Sequence, residues 1–153
     1  MRSANRNFQE GKQMLILPKA VYDQLRQHGE AAYPRECCGI LLGGADRTAA
    51  VAIPAQNASN HPWNHYEVAP LDLIRAERKA REAGLQIIGF YHSHPDHPAY
   101  WSVTDLAEAH WIGCSYVITA IDKGTAAATQ SFRLSGVTEE DKRFEAEEVR
   151  IKI

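Results

Sequence analysis

The chain has 153 residues, with a hydrophobic fraction of 44%, a charged fraction of 24% and a formal net charge of −2. That length suits one domain with a single core and is short for two, and the composition is that of a folded globular protein rather than a disordered one. The near-neutral charge gives no basis for attraction to nucleic acid or to an anionic membrane surface, and no apolar run approaches the roughly 20 residues needed to cross a bilayer.

Residues 1–12 are polar and are expected to be mobile; Met1 to Phe8 lacks the apolar h-region of a secretory signal, so a cytoplasmic protein is expected. Met14–Leu17 is a short apolar run stopped by Pro18 and reads as a first strand. Val21 and Leu25 then mark one face of a helix from Lys19 that Gly29 is expected to end. Cys37–Gly43 is a dense apolar run between glycines, an interior strand, with Ala50–Ile53 as its partner across the turn at Gly43–Asp46. The three cysteines, Cys37, Cys38 and Cys114, are odd in number and show no C-x-x-C spacing, so they read as buried thiols rather than a disulfide framework.

Gln56–Asn64 is an Asn/Pro-rich loop, followed by a brief strand at Tyr66–Val68; Asn57-Ala58-Ser59 matches a glycosylation triplet by chance. Leu71–Ala83 is the clearest amphipathic helix, ending at Gly84. Leu85–Tyr91 is apolar on both faces, as a central strand covered on both sides must be. A helix over Asp105–Ile112 and strands at Tyr116–Ile121 and Thr129–Leu134, joined by a turn at Asp122–Gly124, complete the pattern. The charged stretch Thr138–Glu148 reads as solvated helix or tail, with Val149–Ile153 adding an edge strand. Interleaved strands and helices point to an α/β (α+β) domain with a mixed β-sheet flanked by helices over residues 13–136, and a charged segment over 137–153 that packs on it or trails from it.

The chemistry concentrates in His92-Ser-His-Pro-Asp-His-Pro-Ala-Tyr-Trp-Ser-Val-Thr-Asp105. On a strand, positions i and i+2 share a face, so His92 and His94 project together from the end of the apolar strand, where Pro95 ends the pairing. Two adjacent imidazoles suit a metal, and a catalytic zinc site commonly takes three protein ligands and leaves one position open. Asp105, in the first turn of the next helix, is the carboxylate placed to complete the set. Each residue also has an ordinary reading. Ser102-x-x-Asp105 is by itself a helix capping box, and an H-x-H pair alone is more often structural than metal-binding.

The whole spacing decides between these readings. A Glu heading an apolar strand (Glu36-Cys-Cys-Gly-Ile-Leu-Leu-Gly43), then H-x-H-P at His92–Pro95, then S-x-x-D at Ser102–Asp105 resembles the JAMM/MPN+ zinc metalloprotease family over roughly residues 14–135. The resemblance implies a cytidine-deaminase-like JAMM/MPN fold, although the deaminase cysteine pattern P-C-x-x-C is absent. It implies zinc on His92, His94 and Asp105, with Glu36 as general base and Ser102 as hydrogen-bond donor to the developing oxyanion. One departure stands out: family members often have Pro before the motif Ser, where this chain has Trp101. Tyr100 and Trp101 are candidates either to line a groove beside the metal or to pack locally. His28, His61, His65, His97 and His110 are read as non-ligands.

The chain is similar to small prokaryotic members that act on ubiquitin-like sulfur carriers. The implied reaction is hydrolysis of the amide bond after a carrier's C-terminal Gly-Gly, releasing cysteine or a lysine-linked partner. The short span between Glu36 and His92 leaves little room for the insertions that grip a second ubiquitin. Two alternatives fit the residues less well. A non-catalytic MPN scaffold typically has lost zinc ligands that this chain retains, and a DNA-repair-associated relative usually reads H-N-H-P-S-G and needs a basic patch.

Overall fold

A computed structural model describes residues 14–153; the expectation of a mobile segment over 1–12 lies outside them. Among the described residues, seven strands and three helices follow in the order β1 (Met14–Pro18), α1 (Lys19–Ala32), β2 (Cys38–Gly43), β3 (Ala49–Ala55), α2 (Pro70–Ala83), β4 (Gln86–Pro95), α3 (Val103–Glu108), β5 (Ser115–Asp122), β6 (Thr125–Ser135) and β7 (Arg143–Lys152). The strands form one mixed sheet in the order β1-β7-β6-β5-β4-β2-β3. β4 pairs antiparallel with β2 and parallel with β5, so it is an interior strand, as its two apolar faces require. The architecture is therefore the mixed sheet flanked by helices expected from the sequence. No helix among the described residues is long and apolar enough to cross a membrane.

Alternation along the strands divides the core into two layers. Leu15, Leu17, Leu41, Tyr91 and Val117 pack with Val21 and Leu25 of α1 on one face. Ile40, Leu42, Phe90, Tyr116 and Leu134 pack with Ala76 and Ala80 of α2 on the other. His92 and His94 follow Phe90 at even spacing and emerge on the α2 side. Tyr91 and Ser93 face α1.

Helix α2 has Pro70 at its first position and stops at Gly84, whose φ of 70° is the left-handed conformation that favours glycine. Helix α1 does not stop at Gly29. It continues to Ala32, and the Tyr33 N–H bonds the Gly29 carbonyl at 3.2 Å. Gly29 serves close approach instead: a Cβ there would stand 2.8 Å from Ile121 Cδ1 and 3.2 Å from Ser93 Cβ. Helix α3 spans Val103–Glu108, shorter and earlier than expected, because Ser102 begins it and Ala109 leaves it in extended backbone.

The C-terminal stretch is neither helix nor tail, and it is not an edge. β7 lies between β6 and β1, paired antiparallel with the first and parallel with the second. Phe144 packs on the α2 face while Val149 and Ile151 join the α1 layer. The charge that suggested a solvated segment includes Glu147, whose side chain is wholly buried. It is matched by Arg133 at 3.1 Å, by Ser131 at 2.7 Å and by the Ser115 hydroxyl. Burial of a carboxylate is tolerated where such partners replace water.

Candidate active site

Strand register brings the motif residues together. Cys38 pairs with His92, so the antiparallel ladder carried two residues further sets Glu36 across from His94. Two bonds between the strands fix this junction: the Ser93 N–H donates to the Cys37 carbonyl at 3.3 Å, and the Cys37 N–H donates to Ser93 Oγ at 2.8 Å. Glu36, His92 and His94 are all buried. Helix α3 delivers Asp105 from the side. The Ser102 hydroxyl accepts the Asp105 N–H at 3.0 Å, and Asp105 Oδ2 accepts the Ser102 N–H at 2.9 Å, a reciprocal capping box. The capping box expected of S-x-x-D is therefore present, and it sets Asp105 beside the two imidazoles.

Three donor atoms converge in front of β4. His92 Nε2 and His94 Nε2 are 3.2 Å apart, and Asp105 Oδ2 lies 3.4 Å from the first and 3.1 Å from the second. A tetrahedral ion with bonds of about 2.0–2.1 Å separates its ligand atoms by about 3.3–3.4 Å, so this triangle fits the face of such a site. His92, His94 and Asp105 form the one potential metal-holding group found among the described residues. Two unpartnered polar atoms border it. Glu36 Oε1 and His92 Nδ1 are buried without a hydrogen-bond partner, an arrangement that costs free energy unless something else occupies the site.

The electrostatics agree with the geometry. Burial pushes the Glu36 carboxyl up to about 8, against the pull of His94 and with a further push from Asp105. The Asp105 carboxyl goes the other way. Its own burial opposes ionisation, but hydrogen bonds from both imidazoles and from the Ser102 backbone hold it far below the usual carboxylate range. Burial lowers the His92 imidazole. His94 is raised, its own burial outweighed by Asp105 and by the Pro98 carbonyl 2.9 Å from Nδ1. Neighbouring carboxyl groups pushed in opposite directions are the pattern that acid–base chemistry uses.

A cavity of about 320 Å³ opens beside the triangle, with Glu36, Asn64, His94, His97, Tyr100 and Ser102 in its walls. Tyr100 lines it and is largely exposed. Trp101 does not line it: its ring stacks on Tyr100 at 5.4 Å and packs against Phe144 at 5.6 Å, over the layer of Ala99, Ile118 and Phe132. The residue standing in place of Pro is thus a packing residue behind the wall.

His97 stands in the cavity wall, and three of the other histidines meet partners outside the triangle. His28 meets the Tyr91 hydroxyl at 2.8 Å, His65 bridges Ser59 and Glu108, and His110 meets Glu139 at 3.0 Å. The cysteines are buried and free. Sequence reasoning missed the loop over the site. The Asn57 amide donates to the carbonyls of Glu36 and His65, both at 3.0 Å, and its oxygen accepts the N–H groups of Ser59 and Glu67. The Pro62 carbonyl accepts the Glu36 N–H at 2.7 Å. Tyr66 stacks on His92. The Asn/Pro content signalled a loop, but nothing in its spacing signalled what it holds.

Comparison with known proteins agrees with this geometry. Residues 18–135 match the family model described as prokaryotic homologs of the JAB domain. The chain is 34% identical to a desampylase of Haloferax volcanii over 104 residues, covering 67% of this chain and 75% of that protein. It is 33% identical to a probable TtuB-protein conjugate cleaving protease of Thermus thermophilus, covering 71% and 72%. It is 28% identical to the CysO-cysteine peptidase of Mycobacterium tuberculosis, covering 83% and 88%. Among solved structures, a protein from Desulfitobacterium hafniense superposes with a TM-score of 0.78 at 28% identity, covering 91% of this chain and 93% of that one. A JAB1/MPN domain protein from Archaeoglobus fulgidus shares the fold, with a TM-score of 0.57 at 15% identity over 92% of this chain and 97% of that one. With the family model spanning β2 to β6, the three helices and every residue of the triangle, the chain belongs to the prokaryotic homologs of the JAB domain, the small JAMM/MPN proteins.

Proposed function

We propose that this hydrolytic enzyme of the JAMM type cleaves conjugates of ubiquitin-like proteins, at the amide bond after a C-terminal Gly-Gly, and that it works with zinc. The reading rests above all on the convergence of His92 Nε2, His94 Nε2 and Asp105 Oδ2 on one point, beside the unpartnered Glu36 Oε1 in the wall of the same cavity. Relatives named desampylase, TtuB-conjugate cleaving protease and CysO-cysteine peptidase support the substrate class.

Each side chain then has a definite task. Bound zinc would supply a Lewis acid and bring the pKa of water at its open position to around 7. Glu36 takes a proton from the attacking water and passes it to the leaving amine. Its carboxyl is raised to about 8 by burial, and a neighbouring dication would lower it again, favouring the ionised base. The Ser102 hydroxyl accepts the Asp105 N–H and keeps its own proton free to donate. That proton suits the substrate carbonyl oxygen as negative charge gathers there. Two glycines let a substrate backbone approach the site without a Cβ, in a cavity bounded by Asn64 and Tyr100.

The experiment is hydrolysis of a ubiquitin-like carrier joined through its terminal Gly-Gly to cysteine, followed by mass spectrometry with and without a chelator. Release of cysteine that the chelator stops, and that Ala-Ala in place of Gly-Gly abolishes, is the expected result. Equal cleavage of both tails, or of unrelated peptides, would remove the tail as the specificity element.

A further inference from the structure

We propose that Tyr66 is a positioning residue for the metal site, holding His92 in its ligating orientation by ring stacking. The inference rests on the metal reading above. The two imidazoles of the triangle are supported differently. His94 Nδ1 lies 2.9 Å from the Pro98 carbonyl, an acceptor that keeps the proton on Nδ1 and leaves the Nε2 lone pair facing the triangle. His92 Nδ1 is buried with no hydrogen-bond partner. A ligating imidazole ordinarily has its second nitrogen held by a carboxylate, a carbonyl or water. At His92 the support is the Tyr66 ring, with centroids 4.1 Å apart and planes inclined by 22°.

Stacking is directional in a way that general apolar packing is not. Coordination draws electron density out of an imidazole, and an electron-rich phenol ring attracts the electron-poor ring more strongly than the neutral one. The stack therefore strengthens when a cation binds, which makes it a contribution to metal affinity as well as to the fold.

Tyr66 is itself fixed from both sides. Before it, His65 bridges Ser59 Oγ at 2.6 Å and Glu108 of α3 at 2.7 Å. After it, the Glu67 N–H donates to Asn57 Oδ1 at 3.0 Å, and the Glu67 carbonyl accepts the Ala58 N–H at 2.8 Å. The same Asn57 holds the Glu36 carbonyl. One asparagine thus ties the backbone of Glu36 to the segment whose ring supports His92. The face of the ring meets His92, so Phe keeps the contact and an aliphatic residue does not.

The test is zinc affinity, by competition with a chromogenic chelator, for wild type, Tyr66→Phe, Tyr66→Leu and Leu73→Ala. Leu73 lines the same small cavity as Tyr66 and reports general loosening of that wall. Tyr66→Phe should match wild type within about twofold, and Tyr66→Leu should bind zinc roughly 10- to 100-fold more weakly. Leu73→Ala should lower the melting temperature and leave zinc affinity unchanged. Wild-type affinity in Tyr66→Leu would overturn the proposal, and so would a loss in Tyr66→Phe equal to that in Tyr66→Leu, which would assign the effect to the hydroxyl. Should Tyr66→Leu not fold, Tyr66→Met takes its place, retaining bulk without a flat ring, and the same two outcomes apply. Failure of the wild type itself to bind zinc would remove the metal reading and this inference with it, a result distinct from either of these.

Discussion

The Ser93 hydroxyl accepts the backbone N–H of Cys37 at 2.8 Å, so the residue between His92 and His94 anchors the residue after Glu36. Ser93 faces α1, away from the cavity, and fixes the separation of Glu36 from the two imidazoles from behind. Ser93→Ala leaves a buried N–H unpaired, which costs about 1–3 kcal/mol. We expect a lower melting temperature, zinc content equal to wild type and a several-fold fall in turnover. Unchanged turnover in the destabilised variant would show that the junction tolerates slack.

Metal content separates the triangle from its surroundings. Purified protein should carry about one zinc per chain, and His94→Ala and Asp105→Ala should carry far less by elemental analysis. Asp105→Ala also removes half of the capping box of α3, the acceptor of the Ser102 N–H, at a cost of roughly 1 kcal/mol, which should appear in the melting of the metal-free protein. Chelator-treated wild type should keep its far-ultraviolet dichroism, since two core layers span the sheet independently of the triangle.

Glu36→Gln should divorce stability from activity. Hydrolysis should fall by roughly 100-fold or more, with zinc retained. In the metal-free fold the Glu36 carboxyl is raised from 4.5 to about 8. The native state therefore binds more protons than the unfolded chain between those values, and wild type loses stability as pH rises through that window. Glutamine cannot ionise and escapes this loss. The melting temperature of metal-free Glu36→Gln should exceed that of wild type by a margin that widens from about pH 5 to about pH 8. A margin independent of pH would show that Glu36 does not titrate there.

Two glycine substitutions should part company. Gly29→Ala sets a methyl group 2.8 Å from Ile121 Cδ1 and against Ser93, behind β4, and overpacking of this kind costs about 1–3 kcal/mol. It should lower both melting temperature and turnover. Gly84→Ala meets nothing within 4 Å but must adopt a φ of 70°, at a cost of about 1 kcal/mol. It should lower the melting temperature alone. Equal effects on turnover would refute the view that α1 buttresses β4 through Gly29.

The parts of the site legible in the sequence are those with short-range geometry. His92 and His94 follow from strand periodicity, and Ser102 with Asp105 from helix capping. Glu36 needed the resemblance to the family, since a carboxylate at a strand head says little until the strand's neighbour is known. Asn57 and Tyr66 were illegible because their partners lie across the fold, and their loop has no period. Gly29 was misread because a glycine late in a helix signals both an ending and a close approach. β7 was hidden by its charge, since Glu147 is matched by arginines from other strands and turns.

Asp105 Oδ2 receives the Ser102 N–H and faces both imidazoles at once. The carboxylate rotamer is thus chosen by the first turn of α3, in the same event that forms the domain. An ion arriving afterwards meets a seat already shaped, with little side-chain freedom left to freeze. Uptake should then be governed by desolvation of the ion and by its passage through the opening, with hardly any rearrangement of the protein. Zinc-loaded and zinc-free protein should accordingly show nearly the same protection against amide hydrogen exchange along β4 and α3.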